Sequence, residues 1–284
     1  MSTWLVASDV DATLLRGPAD VPAVGDCLRQ LQRRGVATLL ASSKTFGEMV
    51  TLHDDAGLDP QPFVFENGAG IGWPLDRWPA RIGSLPEVRR SGYGAIVTGD
   101  GPEAIAPLLR DIRDRHGLRF TLLGERSPAE IGRWLGISVA QARLALLRLA
   151  TVPLIWEDDT HALAKLQDHL GARGLSAVSG GRLVHVAPAG GKAEALGRVR
   201  PWLVDGGLAP DHRVLACGDA ENDRKLLEGA AIALVFHPPD RPPLTLADPA
   251  PGIERVGRAV VAGGPLRWLE AVEAALAEAE STPR

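Results

Sequence analysis

The stretch LVASDVDATLL, residues 5–15, is the part of the sequence that decides the fold. An apolar segment typical of a buried strand leads into two aspartates, Asp9 and Asp11, separated by one valine. Two carboxylates at the end of a buried strand raise each other's pKa unless a positive charge neutralises them. Ala12 follows, where we expect an ordinary turn with a negative φ angle. The stretch therefore predicts a strand that ends at a chemical site.

The bulk composition is ordinary for a globular protein. Of the 284 residues, 45% are hydrophobic and 23% charged, and the net charge of −4 favours neither nucleic acid nor an anionic membrane as a partner. No basic segment precedes an apolar signal core, and no run approaches ~18 apolar residues. The two cysteines, Cys27 and Cys217, are too few for a disulfide framework or a zinc site. We therefore expect a cytoplasmic enzyme or binding protein.

The order of strand and helix patterns indicates the domain organisation. Residues 3–72 show strand, helix, strand, helix and strand in turn, which is typical of a doubly wound parallel sheet. This alternation resumes at residue 192, and the region between is helix-rich and irregular. We predict an α/β protein with a Rossmann-like core, residues 1–83 and 189–284, and an inserted α+β domain at 84–188.

Local signals inside the predicted insert are clear. The segment SPAEIGRWLG, residues 127–136, begins with a serine, a proline and Glu130 at the spacing of a capping box. A second helix is predicted over 138–150, and a hairpin turns at Gly180 and Gly181.

Polar clusters follow three predicted strands of the core. Because the carboxyl ends of parallel strands meet at one edge of a sheet, these clusters are expected to converge. An all-oxygen set of carboxylates suits Mg²⁺, which would also relieve their mutual repulsion. The clusters are Asp9 with Asp11, then Ser42, Ser43 and Lys44, and then Asp219 with Asn222 and Asp223.

Four motifs carry a resemblance to a known superfamily. In chain order, DVDATLL, SSKT, GGK and GDAEND resemble the four motifs of the haloacid dehalogenase-like phosphohydrolases, and the insert is similar to their type-2 cap. Within that superfamily, SSKT, FENGAGI, GGRLVHV and the PLIWE segment that follows Arg148 look like the mannosyl-3-phosphoglycerate phosphatases. Ala12 departs from the glycine that is usual in the first motif.

The resemblance implies the catalytic roles. Asp9 would be the nucleophile that forms an aspartyl-phosphate, and Asp11 the general acid and then the general base. Mg²⁺ would be held by Asp9, the main-chain carbonyl of Asp11 and Asp219, with Asp223 in support. Lys192 and Ser42, with the N–H of Ser43, would bind the phosphate.

The resemblance also implies residues that recognise the substrate, a small phosphorylated sugar-glycerate. Lys44 is expected to reach its phosphate or carboxylate, and Arg182 its glycerate carboxylate. The remaining candidates have a supporting or recognition role: Glu66 and Asn67 for sugar hydroxyls, Asn222 to orient Lys192 or Asp9, and Arg148 and His185 in the cap.

Other functions remain open at this point. The resemblance implies hydrolysis of mannosyl-3-phosphoglycerate to mannosylglycerate and phosphate, and the alternatives are glucosyl-3-phosphoglycerate or a broader set of sugar phosphates, since a fold does not determine a substrate. A phosphotransferase or phosphomutase would use the same scaffold, and an inactive relative would keep the motifs. Residues 129–148 also resemble a helix-turn-helix, although their second helix lacks the basic face that DNA binding requires. The sequence does not indicate the oligomeric state.

Overall fold

The computed structural model describes residues 2–82, 88–249 and 255–281. The chain divides into two compact units. The first contains the residues up to Ser42, Leu52–Phe63 and those from Leu196 onward; the second contains Ser43–Thr51 and Val64–Ala195. Within the described ranges, no helix combines the length and the apolar character needed to cross a membrane.

The described residues form the following strands: β1 Ser2–Ser8, β2 Ala37–Ala41, β3 Phe63–Phe65, β4 Gly70–Pro74, β5 Arg89–Arg90, β6 Tyr93–Val97, β7 Phe120–Leu122, β8 Val152–Trp156, β9 Leu175–Gly180, β10 Leu183–Pro188, β11 Leu208–Gly218, β12 Ile232–His237 and β13 Val256–Val261. The α-helices are α1 Val21–Arg33, α2 Phe46–Asp55, α3 Pro102–His116, α4 Pro128–Leu135, α5 Val139–Leu146, α6 Thr160–Gly171, α7 Gly191–Asp205, α8 Arg224–Glu228 and α9 Pro265–Ser281.

The first unit is built on parallel strands in the order β13-β12-β11-β1-β2. Strands of this kind are covered on both faces, so their sequences are apolar without alternation. In β1, Leu5, Val6 and Ala7 are fully buried, and so are Leu215 and Ala216, the neighbours of Val6 and Ala7 in β11. The continuous apolar segment noted in the sequence is therefore the centre of this sheet.

Helices of the first unit bury one face each. In α1 the buried positions Val24, Leu28 and Leu31 recur at helical spacing, and the helix packs beside α9. In α9 the large Trp268 is completely buried and donates from Nε1 to the Ser8 hydroxyl at 3.0 Å. Packing of these faces against the sheet positions the ends of β1 and β11.

The strands β4, β6 and β5 of the second unit lie in that order, with β6 antiparallel to both neighbours. A separate antiparallel sheet of this unit has the order β7-β8-β10-β9. Side chains alternate between the two faces of a strand. In β10, Val184 and Val186 join a core with α3 and α6, whereas Leu183 packs with the core of α4 and α5. His185 lies on the same face of β10 as Leu183.

The predicted fold class is confirmed: an α/β core with a parallel sheet, accompanied by mixed helical and strand structure. The hairpin around Gly180 and Gly181 is also confirmed, as β9 and β10. The helix predicted over 138–150 is too long, because α5 ends at Leu146 and residues 147–151 form an irregular segment.

The domain bounds stay a prediction. The proposed cap, 84–188, lies within the second unit, but that unit also contains Ser43–Thr51 and extends to Ala195. The predicted boundary at 83 and 84 falls outside the described residues.

Candidate functional site

Three carboxylates of the first unit form one group. Asp9, Asp219 and Asp223 each place a carboxylate oxygen within 4.8 Å of the others. Asp9 follows β1, and its N–H donates to the Cys217 carbonyl of β11 at 2.9 Å, so the ends of the two neighbouring strands are joined. Burial raises the pKa of the Cys217 thiol, which therefore adds no negative charge to this acidic group.

Backbone donors orient one member of the group. Asp223 is completely buried, and its Oδ2 accepts the N–H groups of Asp219 at 3.1 Å and Ala220 at 3.3 Å. Gly218 makes this contact possible, because a Cβ there would lie 2.5 Å from the Asp223 Cβ. The Gly-Asp pair that ends β11 is thus required by close packing as well as by chemistry.

Two supporting residues were missed in the sequence. The Thr13 hydroxyl donates to Asp219 Oδ1 at 3.4 Å, across 206 residues of chain. The Ser8 hydroxyl donates to the Asp9 carbonyl at 2.7 Å. Both are hydroxyl residues within two positions of a predicted aspartate, which is the sequence signal that marks them.

The acidic group fits a hard divalent cation. Its donors are all carboxylate oxygens, two of the three residues are buried, and a cation would offset their mutual repulsion. Asp11 was predicted to contribute its main-chain carbonyl, and its exposed side chain lies outside the carboxylate group. The predicted role of Asp11 in proton transfer stays a prediction.

The expectation for Ala12 is wrong. Ala12 has φ of +64°, in the left-handed region, instead of the negative φ predicted. The tight turn demands this conformation, because Ala12 N–H donates to Leu15 O at 2.8 Å while Leu14 and Leu15 both donate to the Val10 carbonyl. Ala12 therefore bears backbone strain that glycine would avoid.

The four residues of the SSKT segment lie in different environments. Ser42 is completely buried in the first unit, after β2. In the second unit Thr45 caps α2: its hydroxyl accepts the Glu48 N–H at 3.2 Å, and Glu48 Oε2 accepts the Thr45 N–H at 2.8 Å. Because Thr45 is the cap, the half-buried Ser43 and Lys44 are not needed for that purpose.

Lys192 is buried at the start of α7, with only 1% of its surface exposed. The turn 66–68 lies against this region so closely that a Cβ on Gly68 would be 2.2 Å from the Gly191 carbonyl. The FENG and GGK motifs, distant in sequence, therefore meet through their backbones.

Glu66 binds the segment that follows Arg148. Its carboxylate is completely buried and accepts the N–H of Leu149 at 2.8 Å, the N–H of Ala150 at 3.0 Å and the Thr151 hydroxyl at 2.7 Å. Glu66 and Asn67 have φ of +49° and +57°, strained values for residues other than glycine. The predicted contacts of Glu66 and Asn67 with sugar hydroxyls stay a prediction, and the observed contacts of Glu66 are with the protein.

Arg148 and His185 belong to the same unit. Arg148 donates to the Ser43 carbonyl at 2.7 Å and to the Ala145 carbonyl at 2.9 Å. His185 is buried, and burial, followed by the charges of Arg148 and Lys192, lowers its pKa to about 3.

The last two residues predicted to bind or orient the substrate are Arg182 and Asn222. Arg182 is exposed on the hairpin, where it donates to the Trp134 carbonyl and stacks 4.5 Å from the Trp134 ring centre. Asn222 is half-buried in the short helix that precedes α8. Their predicted roles toward substrate stay predictions.

Solved structures with a similar fold include members of the haloacid dehalogenase superfamily. No family model matches the chain. SMU.1108c from Streptococcus mutans UA159 is 19% identical with a TM-score of 0.61, covering 98% of this chain and 100% of that one. BT1666 from Bacteroides thetaiotaomicron, described among phosphatases of that superfamily, is 16% identical with a TM-score of 0.58, covering 96% and 95%.

A haloacid dehalogenase-like hydrolase from Bacteroides thetaiotaomicron is 15% identical with a TM-score of 0.59, covering 96% of this chain and 100% of that one. At such identities the likeness establishes the fold alone. The chain therefore has the fold of the haloacid dehalogenase-like hydrolases.

Proposed function

We propose that the chain is a Mg²⁺-dependent phosphatase that hydrolyses a phosphomonoester through an aspartyl-phosphate. The observation that carries this proposal is the group of Asp9, Asp219 and Asp223 at the ends of two parallel strands. Ligand sites of open α/β sheets lie at these strand ends, and the fold matches hydrolases that include phosphatases.

Asp9 and Asp11 have separate tasks in the proposed reaction. The Asp9 carboxylate attacks phosphorus, the bond to the leaving oxygen breaks, and the Asp11 carboxylic acid gives that oxygen its proton. Water then attacks the aspartyl-phosphate and transfers a proton to the Asp11 carboxylate, which releases phosphate and regenerates Asp9. The buried position of Asp9 and the exposed position of Asp11 suit these different tasks.

Mg²⁺ fits the three carboxylates by charge and donor type, and when bound it would neutralise charge so that an anionic nucleophile can approach a phosphate. Ser42, Ser43 and Lys192 are proposed to bind the phosphate oxygens, as the resemblance implies. Cytoplasmic location and a small-molecule substrate, with no membrane or nucleic-acid partner, belong to the same proposal.

The proposed substrate is a glycosyl-3-phosphoglycerate, with mannosyl-3-phosphoglycerate as the first candidate. The motifs SSKT, FENGAGI and GGRLVHV support this choice, and the second unit holds the residues of all three motifs except Ser42. Lys44, Asn67, Asn222 and Arg182 keep their predicted roles in substrate binding or orientation within this proposal.

Phosphate release with the Asp9→Asn variant tests the nucleophile. We expect Mg²⁺-dependent turnover to fall by about 10³-fold or more, because an amide does not attack phosphorus. Asp26→Asn is the matched control, since Asp26 is an exposed residue of α1 that pairs with Arg29. Full activity of Asp9→Asn, with correct folding by circular dichroism, would exclude Asp9 as the nucleophile.

A substrate panel distinguishes the remaining functions. Mannosyl- and glucosyl-3-phosphoglycerate, simple sugar phosphates and p-nitrophenyl phosphate are assayed with Mg²⁺ and with EDTA. Release of inorganic phosphate without a bisphosphate activator supports a phosphatase, whereas transfer to a sugar hydroxyl indicates a phosphotransferase or phosphomutase. Absence of release from every ester would refute the proposed function.

A further inference from the structure

Two hydrogen bonds connect the last helix of the first unit to the residue that we propose as the nucleophile. Trp268 of α9 donates from Nε1 to the Ser8 hydroxyl at 3.0 Å, and the Ser8 hydroxyl donates to the Asp9 carbonyl at 2.7 Å. Trp268 is completely buried, and Ser8 is 1% exposed. Because both bonds are buried, the packing of the protein determines their geometry more than solvent does.

The direction of the two bonds follows from the chemistry of their donors and acceptors. An indole N–H only donates and a main-chain carbonyl only accepts, whereas a hydroxyl does both. The Ser8 hydroxyl therefore has to accept from Trp268 and give its single proton to the Asp9 carbonyl. The indole in this way selects one orientation of a hydroxyl group that would otherwise rotate.

The Asp9 carbonyl lies just beyond the paired part of β1. The pairing of β1 with β11 and its pairing with β2 both end at Ser8. The Asp9 N–H donates to the Cys217 carbonyl at 2.9 Å, and the Asp9 carbonyl accepts the Ser8 hydroxyl. Hydrogen bonds thus hold the main chain of Asp9 on both sides of its Cα atom, which restricts the direction in which its carboxylate leaves the strand.

The Trp268 indole is itself held firmly. Its N–H in the main chain donates to the Gly264 carbonyl at 2.9 Å, and it lies on the buried face of α9 together with Val272 and Leu276. A side chain that packing already fixes in one rotamer makes a precise hydrogen bond. The indole is therefore a rigid anchor for Ser8, although 260 positions of chain separate the two residues.

We propose that Trp268 and Ser8 are positioning residues for the nucleophile: the indole orients the Ser8 hydroxyl, and this hydroxyl fixes the main chain of Asp9 so that its carboxylate has one orientation for attack on phosphorus. The assignment rests on the proposed phosphatase function. Loss of orientation lowers the rate of the chemical step more than it weakens substrate binding, so kcat is the quantity that responds.

Kinetics of Ser8→Ala test the positioning directly. The values of kcat and KM are measured with p-nitrophenyl phosphate and with the best ester of the substrate panel. We expect kcat to fall by about tenfold while KM changes by less than about twofold. Ser8→Thr keeps the hydroxyl and should recover most of kcat. A folded Ser8→Ala with unchanged kcat, or with a loss confined to KM, would overturn the proposal.

A double variant tests whether the indole acts through Ser8. Trp268→Phe removes the donor and keeps an aromatic ring, and we expect kcat to fall by about threefold, because the Ser8 hydroxyl can still donate to Asp9 but is no longer oriented. Adding Trp268→Phe to Ser8→Ala should lower kcat no further. Losses that multiply in the double variant would show independent structural effects and contradict the proposed pathway.

Matched controls change similar buried side chains of the first unit. Thr38→Ala in β2 removes a hydroxyl that donates to Gln61 Oε1 at 3.2 Å, and Trp4→Phe in β1 changes a tryptophan that is 5% exposed. Both variants should lower the midpoint of thermal unfolding and leave kcat unchanged. If they lower kcat as much as Ser8→Ala does, the loss reflects stability alone and the proposal is wrong.

Beryllofluoride binding separates positioning from turnover. In the presence of Mg²⁺ this anion binds to an aspartate carboxylate as an analogue of the phosphoryl group, and ¹⁹F NMR measures its dissociation constant. We expect Ser8→Ala to raise this constant by about tenfold and Asp9→Asn to abolish binding. An unchanged constant in Ser8→Ala would overturn the positioning and leave the phosphatase function standing. A protein that binds no beryllofluoride and releases no phosphate would refute the phosphatase function, and with it Asp9 as the group to be positioned.

Discussion

Ala12 occupies the turn that follows β1 in the first unit. Its φ of +64° is held by the hydrogen bond from its N–H to the Leu15 carbonyl. The Val10 carbonyl, which accepts the N–H groups of both Leu14 and Leu15, closes the same turn. The strain is local, since Ala12 itself is exposed and its methyl group meets no crowded core. We therefore expect alanine at this position to change the free energy of unfolding more than it changes the positions of the site carboxylates.

The variant Ala12→Gly tests this strain. Glycine adopts positive φ without a steric penalty, so we expect the free energy of unfolding to rise by about 1 kcal/mol in urea titrations. Ala274→Gly, at an exposed position of α9 in the same unit, should lower it by about 1 kcal/mol. If Ala12→Gly lowers stability like the control, the strain is absent.

At the scale of elements, local sequence signals were most reliable where helices begin. The Ser127 hydroxyl accepts the Glu130 N–H at 3.3 Å, and Glu130 Oε2 accepts the Ser127 N–H at 2.8 Å, as the capping box predicted. The end of α5 was not foreseen, because no glycine or proline follows Leu146. Its end is instead associated with Glu66, which accepts the N–H groups of Leu149 and Ala150 and the hydroxyl of Thr151.

Removal of the cap in Ser127→Ala tests its contribution to α4. The N-terminal N–H groups of the helix lose an acceptor, and we expect the free energy of unfolding to fall by about 1 kcal/mol. Ser179→Ala, at an exposed position of β9, should change it by less than about 0.5 kcal/mol. Equal effects of the two substitutions in chemical denaturation would show that the capping box does not stabilise the protein.

At the scale of the whole molecule, the buried His185 makes stability depend on pH. Its pKa is lowered from 6.5 to about 3 on folding, so between these values the unfolded chain binds a proton that the folded chain does not. The group therefore leaves the free energy of unfolding unchanged above about pH 6.5 and lowers it progressively as the pH falls from 6.5 toward 3. This single group contributes up to about 1.4 kcal/mol per pH unit in that range.

Urea unfolding at pH 7 and pH 5 measures this linkage. The free energy of unfolding should fall between the two values in the unsubstituted protein, and His185→Gln should reduce the fall. His161→Gln, at an exposed position of α6, should leave the fall as it is. An identical pH dependence of His185→Gln and the unsubstituted protein would contradict a buried neutral imidazole.

Local order along the chain was determined by the sequence. The alternation of apolar strands and amphipathic helices, the hairpin glycines and the capping box act between neighbouring residues, so they are readable without a structure. They led to the α/β core and to aspartates at strand ends. Only tertiary structure decided that Asp9, Asp219 and Asp223 meet within 4.8 Å.

Tertiary structure also decided the partners of Glu66. It likewise left His185 Nδ1 without a hydrogen-bond partner among the described residues. The physical reason is the same in each case. Burial and hydrogen-bond partners arise from residues that are distant in sequence. Local propensity carries no information about those partners.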